Sequence, residues 1–563
     1  MKNLSTILIS DFNISNFQAY LKVDNSLPQM EVSLIPFGQV MQCLLDKTNK
    51  VWNNHYDIAI IWTQPEAVIS SYSSLLMYDR IDELLLIEEV DKFVNVLEGL
   101  TDQVKSVFIP LWNKPGYLRG SGILSFKSGF GIDYAILKMN ERLVSRISKL
   151  KNLHVLDSYS WMQKVGSRAF NPKLWYLGKV PFSNEVFIEA VKDVKAAARA
   201  IYGVSKKLII VDLDDTMWGG IVGDAGWQNL ILGGHNSSGE AFVDFQRGLK
   251  SLINRGVILG IVSKNDEKVA MEAIESHPEM VLKKSDFAAY RINWKDKASN
   301  IIEIVNELNI GLQSVVFIDD NPFERALVRE SLSEVLVPEW PSNPLFYPSA
   351  LFSLNCFDVV SISKEDLSRS KMYDIEEKRT SLMQEMSSVE DWIKSLGMKI
   401  CIENVSDSNI IRVTQLFNKT NQMNLTTRRL SESELRVWNL QDNQHLFCMK
   451  VEDKFGDYGL TGIVGLKVIE EEMLITDFVL SCRVMGRKVE EAMVHFIVSQ
   501  AKVLGALVVR AEYFPTPKNR PCLDFWRRSG FHETGSVFQF NTKSGYSLPD
   551  GISLNLDFHV NES

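Results

Sequence analysis

Residues 208–216 read Leu208-Ile-Ile-Val-Asp-Leu-Asp-Asp-Thr216, a short apolar run that ends in a cluster of carboxylates and a hydroxyl. The run predicts a strand of a parallel sheet, with Asp212 at its carboxyl end, where open α/β sheets bind their ligands. Two carboxylates two residues apart, Asp212 and Asp214, can face one ion if the strand stops between them. A hard cation such as Mg²⁺ takes carboxylate oxygens together with water and phosphate. Near such an ion a carboxylate can approach an anionic phosphate and attack it. Taken alone, the pattern equally fits a cluster of aspartates capping a helix.

Three stretches downstream change that balance. Val262-Ser263 ends a second apolar run, and the Ser263 hydroxyl can bond a phosphoryl oxygen. Asn293-Trp-Lys-Asp-Lys297 opens a helical pattern, and Lys297 there can neutralise phosphate and nucleophile together; Lys295 is the weaker alternative. Phe317-Ile-Asp319-Asp320-Asn-Pro322 ends a third run and adds acid for a metal. Asp, Ser, Lys and Asp at successive strand ends resemble the four motifs of the haloacid-dehalogenase-like (HAD) enzymes. The resemblance implies Asp212 as nucleophile and Asp214 as general acid and base. It implies Thr216, Ser263 and Lys297 as the phosphate-binding set. Asp212, Asp214 and Asp320 would hold Mg²⁺, with Asp319 contributing. Neither the gap from Asp212 to Ser263 nor that from Ser263 to Lys297 has room for a cap domain of HAD size. Much of the first gap is the Gly-rich stretch 219–239, read as a flap, and His235 on it is read as solvated. An uncapped site can admit a group carried on a macromolecule.

Upstream, residues 1–200 alternate apolar runs (Thr6–Ile9, Val32–Ile35, Ile58–Trp62, Val107–Leu111, Leu153–Leu156) with helical stretches, which predicts a second parallel sheet. Residues 201–345 form the phosphate-handling domain, with Pro338–Pro348 as its exit linker and 346–397 as a linker with a helix over Glu365–Leu396. Residues 398–545 read as a mixed, mainly antiparallel sheet with helices, and 546–563 as a tail. In that last domain Ser481-Cys-Arg483-Val-Met-Gly486-Arg487-Lys488 opens a helix, and a basic, glycine-containing loop at a helix N-terminus suits an anion. The loop resembles the pyrophosphate loop of GNAT acyltransferases. Arg483 and Gly486 match that pattern and Lys488 departs from it. The resemblance implies CoA or phosphopantetheine held by Arg483, Gly486 and Arg487, or else a scaffolding domain. Lys419, Arg428 and Arg429 read as a solvated face, with a docking patch for an acidic carrier as the alternative.

The full set is more specific than its parts. Asp214-Asp-Thr-Met-Trp218-Gly-Gly220, Asn293-Trp294, Asp319-Asp-Asn-Pro-Phe-Glu-Arg325, Asn418-Lys-Thr-Asn-Gln-Met-Asn424, Phe455-Gly-Asp-Tyr-Gly459 and Ser481-Cys-Arg-Val-Met-Gly486 resemble the FkbH-like family over residues 1 to about 545. That resemblance implies an α/β protein of three domains: an SGNH-hydrolase-like, flavodoxin-like parallel sheet, an uncapped HAD Rossmann-like domain and a GNAT-like α+β domain. It implies an acyl carrier protein as partner and a phosphorylated three-carbon, glyceryl-type acyl group as substrate. Secondary-metabolite or surface-polysaccharide synthesis is the implied setting. Glyceryl-loading members often carry Cys between the first two aspartates, where this chain has Leu213. In the N-terminal domain Ser10-Asp11 stands where an SGNH nucleophile would. Asp157-Ser-Tyr-Ser160 has Ser in place of the usual His, so a degenerate domain is expected. The alternatives are a carrier-free HAD phosphatase and a GNAT-type transferase to an amino sugar.

Composition sets the outer limits. The 563 residues exceed the about 250–300 at which one core stops growing, so two to four domains are expected. A net charge of −9 argues against nucleic-acid binding. The six cysteines are scattered without a paired motif, which argues against a zinc site or disulfide framework and for a reducing cytoplasm. No apolar stretch reaches the ~20 residues that span a bilayer.

Overall fold

The computed structural model describes residues 3–101, 103–114, 118, 121–234, 236–362, 379, 382, 386, 388–441, 443–516 and 518–557. His235 and most of the helix expected over Glu365–Leu396 lie outside the described residues. The fold is mixed α/β and divides into two compact units, Met1–Arg199 and Ala200–Ser563.

The first unit is built on strands β1 (Leu4–Ser10), β2 (Met30–Leu34), β3 (Tyr56–Trp62), β4 (Val104–Pro110) and β5 (Leu153–Leu156), all parallel in the order β2-β1-β3-β4-β5. Its central strands are apolar on both faces because helices cover both. Ile7, Ile9, Ala59, Ile61, Val107 and Ile109 pack with Val90, Phe93, Leu97, Ile136 and Leu143 from the helices Glu83–Glu98 and Ile132–Ile147.

The second unit holds two sheets. Strands β6 (Leu208–Val211), β7 (Ile258–Ser263), β8 (Ala289–Ile292) and β9 (Val315–Ile318) run parallel in the order β8-β7-β6-β9. Helices Ser237–Asn254 and Glu267–Ser276 share one core with the sheet, and Lys297–Glu307 shares the other. The later sheet comprises β10 (Met398–Asn404), β11 (Met423–Asn424), β12 (Gln444–Asp453), β13 (Gly456–Ile469), β14 (Glu472–Leu480), β15 (Val508–Glu512), β16 (His532–Thr534), β17 (Val537–Asn541) and β18 (Ile552–Asp557). Its order is β16-β17-β15-β14-β13-β12-β10-β18, with β11 on β14.

Two expected boundaries differ from the structure. The stretch taken as an exit linker, Pro338–Pro348, is part of the core. Trp340 and Tyr347 are buried against Phe245, and Lys206 donates its backbone N–H to Cys356 O at 2.8 Å, tying the segment back to the entrance of β6. The prolines there start short helices at Pro344 and Pro348, where a missing N–H costs nothing. The expected tail contains β18, which pairs in parallel with β10 from Met398↔Ile552 to Glu403↔Asp557. No helix among the described residues is long and apolar enough to cross a membrane.

Candidate active site

The parallel strands deliver the acidic groups to one sheet edge. Val211 and Ile318 are paired in β6 and β9, so Asp212 and Asp319 follow side by side, and the Asp212 N–H donates to Ile318 O at 3.0 Å. One carboxylate oxygen each from Asp212, Asp319 and Asp320 lies within 4.8 Å of the others. Lys297, the first residue of its helix behind the N-capping Asp296, reaches into the cluster. Its Nζ is 2.9 Å from Asp212 Oδ2 and 2.6 Å from Asp319 Oδ2, and Lys297 is only 3% exposed. Lys295 instead pairs with Glu303 at the surface, so Lys297 is the lysine of the site.

Charge in the cluster does not balance: three buried or half-buried carboxylates face one ammonium. Burial pulls the Lys297 ammonium down, but Asp212 and Asp319 outweigh it and hold it above the usual lysine range. Burial pushes Asp319 up to about 6, with the Asp212 charge adding to it. Asp320 is raised by the same two causes. Asp212 Oδ1 is buried with no hydrogen-bond donor. An orphaned buried carboxylate oxygen beside two more acids is a donor set that fits a hard divalent cation.

Thr216 and Asp320 are locked together. Thr216 Oγ1 donates to Asp320 Oδ1 at 3.1 Å and accepts the Asp320 N–H at 3.0 Å. Thr216 thus positions a cluster acid and is fully buried, which departs from its expected place among phosphate ligands. Ser263 ends β7 next to β6, is 2% exposed, and its carbonyl accepts the Asn293 N–H at 3.1 Å.

The Asp214 carboxylate is not among the three acids whose oxygens lie within 4.8 Å of one another, and its own oxygens are occupied. Oδ1 accepts Trp218 Nε1 (2.9 Å) and the Val222 N–H (3.1 Å), and Oδ2 accepts Asn265 Nδ2 (2.7 Å). Burial raises its pKa while these three donors oppose the rise. Asn265→Leu removes one charge-assisted bond at nearly constant volume. It is expected to lower kcat about tenfold, matching roughly 1.5 kcal/mol for such a bond, with an unchanged circular-dichroism spectrum.

Several supporting residues had no role assigned to them from the sequence. Arg325 is 7% exposed and donates through Nη1 to the carbonyls of Asp319 (2.8 Å) and Asp320 (2.6 Å). Tyr347 donates to Asp215 O at 3.1 Å, and Asp215 sits at φ +53° in the turn between catalytic loop and flap. Leu213 is fully buried in the core with Trp218 and Phe245, so position 213 points away from the acids. Trp294 is 76% exposed just before the helix that begins at Lys297, and Phe323 is 70% exposed in the first turn of the helix Pro322–Ser331 that follows Asp320.

The expected anion loop is differently used. Arg487 is 6% exposed, donates to Tyr458 Oη, and lies over the rings of Tyr458 and Trp392. Gly486 N–H donates to Glu490 Oε1 at 2.8 Å. Arg483 Nε approaches Ser481 Oγ at 3.4 Å. Arg429 is a half-buried bond donor to Phe417 O and Thr420 O, and the Arg428 side chain, 34% exposed, pairs with Asp477. Burial pushes Glu490 up to about 7. A carboxyl held above its unfolded value binds its proton more tightly when folded. Its stabilising contribution is therefore complete below about pH 4.5 and is lost as pH rises to about 7, by up to about 3 kcal/mol. Glu490→Gln is expected to remove that slope, checked by urea unfolding near pH 5 and pH 8.

In the first unit, Ser10 is 1% exposed and its Oγ accepts the Phe12 N–H at 3.2 Å. Asp157 caps a helix, and Ser160 Oγ donates back to Asp157 O at 2.8 Å. These groups serve turns and caps.

No family model matches the sequence, and none of the curated proteins does. A crystal structure of the N-terminal part of protein BF1531 from Bacteroides fragilis, described as containing a phosphatase domain complexed with Mg, is 30% identical. The match covers 64% of this chain and 96% of that one, with a TM-score of 0.58. The chain belongs to the family of that phosphatase-domain protein. A quarter of the chain is similar to the ribosomal-protein-S18-alanine N-acetyltransferase of Escherichia coli, at 9% identity over 25% of this chain and 94% of that one, TM-score 0.21. The spermidine N-acetyltransferase of Vibrio cholerae, solved with CoA and spermine, gives 14% identity over 26% and 96%, TM-score 0.22.

Proposed function

We propose that the protein is a Mg²⁺-dependent, HAD-type phosphate-handling enzyme of the FkbH-like kind, working on a phosphorylated, glyceryl-type acyl group bound for an acyl carrier protein. The observation that carries the phosphate chemistry is the cluster of Asp212, Asp319 and Asp320, with one orphaned oxygen, around Lys297. The related Bacteroides protein binds Mg, which agrees with the donor set. A Mg²⁺ ion held by Asp212, Asp319 and Asp320 would offset the surplus negative charge and draw a phosphoryl group toward it.

The chain's own residues then divide the work. A carboxylate oxygen of Asp212 attacks phosphorus, forming an O–P bond as the bond to the leaving oxygen breaks. That oxygen departs with the electron pair and takes a proton from Asp214. Asp214 next withdraws a proton from water, which cleaves the aspartyl phosphate and frees inorganic phosphate. Lys297 and Ser263 hold the phosphoryl oxygens. In the acyl branch, the carrier thiol gives up its proton to solvent and attacks the carbonyl of an acyl phosphate; a C–S bond forms as the carbon–oxygen bond breaks, and phosphate leaves with the electron pair. The exposed aromatic rings of Trp294 and Phe323, close in sequence to Lys297 and Asp320, agree with a substrate carried on a macromolecule. The three sheets are read as SGNH-like, HAD-like and GNAT-like domains of a cytoplasmic biosynthetic enzyme.

The test is incubation with Mg²⁺, 1,3-bisphosphoglycerate and a phosphopantetheinylated carrier, followed by carrier mass and phosphate release. A carrier mass gain by the acyl unit supports the full reading. Phosphate release with no gain on any carrier leaves a carrier-free phosphatase and contradicts the carrier step. Trp294→Ala should raise KM for the carrier-linked substrate by about tenfold, the loss expected for one exposed aromatic anchor, and leave KM for a small acyl phosphate unchanged.

A further inference from the structure

The later sheet of the second unit has the form of a ligand cleft. β14 and β15 are parallel and pair only from Glu472↔Val508 to Ile475↔Ala511, while β14 continues to Leu480. A gap of this kind accepts an extended, amide-bearing chain as an added strand. The loop that follows β14 leads to the N-terminus of the helix Val489–Val503, the position that suits a diphosphate. An acyl-CoA would need both places.

The chain fills both itself. Met423 and Asn424 of β11 pair antiparallel with Leu480 and Val479 on the free part of β14. Leu425 N–H donates to Phe478 O at 3.1 Å, and Leu425 O accepts the Phe514 N–H, just past β15, at 3.1 Å. The segment therefore spans the gap as a strand would. It is fully buried, and Asn519 Nδ2 fastens it through Asn424 O at 3.0 Å. At the helix N-terminus the Glu490 carboxylate, 2% exposed, accepts the Gly486 N–H that an anion would use.

The same end of the sheet is a contact surface. Asn309 Nδ2 donates to Cys482 O at 2.9 Å, Lys207 Nζ lies 3.4 Å from Lys419 O, and a Cβ on Gly203 would stand 2.0 Å from Asn418 O. Lys207 precedes β6, whereas Asp212 follows it, so this seat is at the edge of the phosphate-handling sheet opposite the acid cluster.

We infer that the C-terminal sheet is a permanently closed thioester-type cleft, plugged by Met423–Leu425 and by Glu490, whose ligand end serves instead as the seat for the phosphate-handling half. Acyl-CoA is not a substrate of this protein, and the amino-sugar transferase alternative is set aside. The inference is independent of which acyl group the Asp212 site takes.

Hydrogen–deuterium exchange of the full chain, read by mass spectrometry with and without millimolar acetyl-CoA, tests it. Peptides covering 423–425 and 481–490 should exchange slowly and show no change with acetyl-CoA. Asn519→Ala should speed exchange at 423–425 about tenfold, the effect of one lost buried hydrogen bond, still with no acetyl-CoA effect and with phosphate release intact. Acetyl-CoA protection at either peptide overturns the inference, as does fast exchange at 423–425 in the unaltered chain.

Discussion

Asp212→Asn is expected to abolish phosphate release, lowering turnover by about three orders of magnitude or more, because an amide cannot attack phosphorus. The same change should leave the fold intact and raise its stability. Asp212 shares its pocket with Asp319 and Asp320, and its charge raises the pKa of both. Replacing one of three crowded acids with a neutral isostere relieves that repulsion, so thermal unfolding of the metal-free variant should occur above that of the unaltered protein. Activity loss with a higher unfolding temperature separates a strained catalytic site from a structural one. Equal turnover, or a lower unfolding temperature, would count against Asp212 as nucleophile.

Lys297→Met carries the second large effect, and here activity and stability should fall together. Lys297 is 3% exposed and is bonded to Asp212 and Asp319. Removing one partner of a buried pair typically costs about 3–5 kcal/mol, since the other charge stays buried and unpaired. Millimolar Mg²⁺ should restore part of the lost stability by binding the folded state alone, while phosphate release stays low because the phosphoryl oxygens have lost their cation. Calorimetry with and without Mg²⁺, beside a phosphate assay, reads both. No destabilisation without metal would mean that the acids are not ionised together.

Much of this was legible in the sequence, and the pattern of success has a physical basis. β6, β7 and β9 are apolar runs whose residues are buried on both faces, so they stand out by composition, and each ends on, or one residue before, a residue of the site. β8 escaped notice because Tyr290 and Arg291 in its middle are only half-buried, as befits an edge strand. Lys297 was favoured over Lys295, but only the fold shows Lys295 turned to Glu303. Asn265 and Arg325 lay inside quoted or neighbouring motifs, yet their roles come from bonds to Asp214 and to the Asp319 and Asp320 carbonyls across the sheet edge. Tyr347 was hidden by its prolines, which read as linker although the aromatic residues around them fill a core. The loop at Gly486 was correctly located as a helix entrance. The carboxyl that accepts the Gly486 N–H there, Glu490, comes from the helix itself and was not singled out.

The central claim is a phosphoryl group carried on Asp212. Quenching the enzyme during turnover and reducing it with borohydride converts an aspartyl phosphate to homoserine, which tandem mass spectrometry can place in the chain. Homoserine at position 212, present with substrate and Mg²⁺ and absent when Mg²⁺ is chelated, is the expected result. Active turnover that leaves position 212 as aspartate, or that marks a different aspartate, would contradict it.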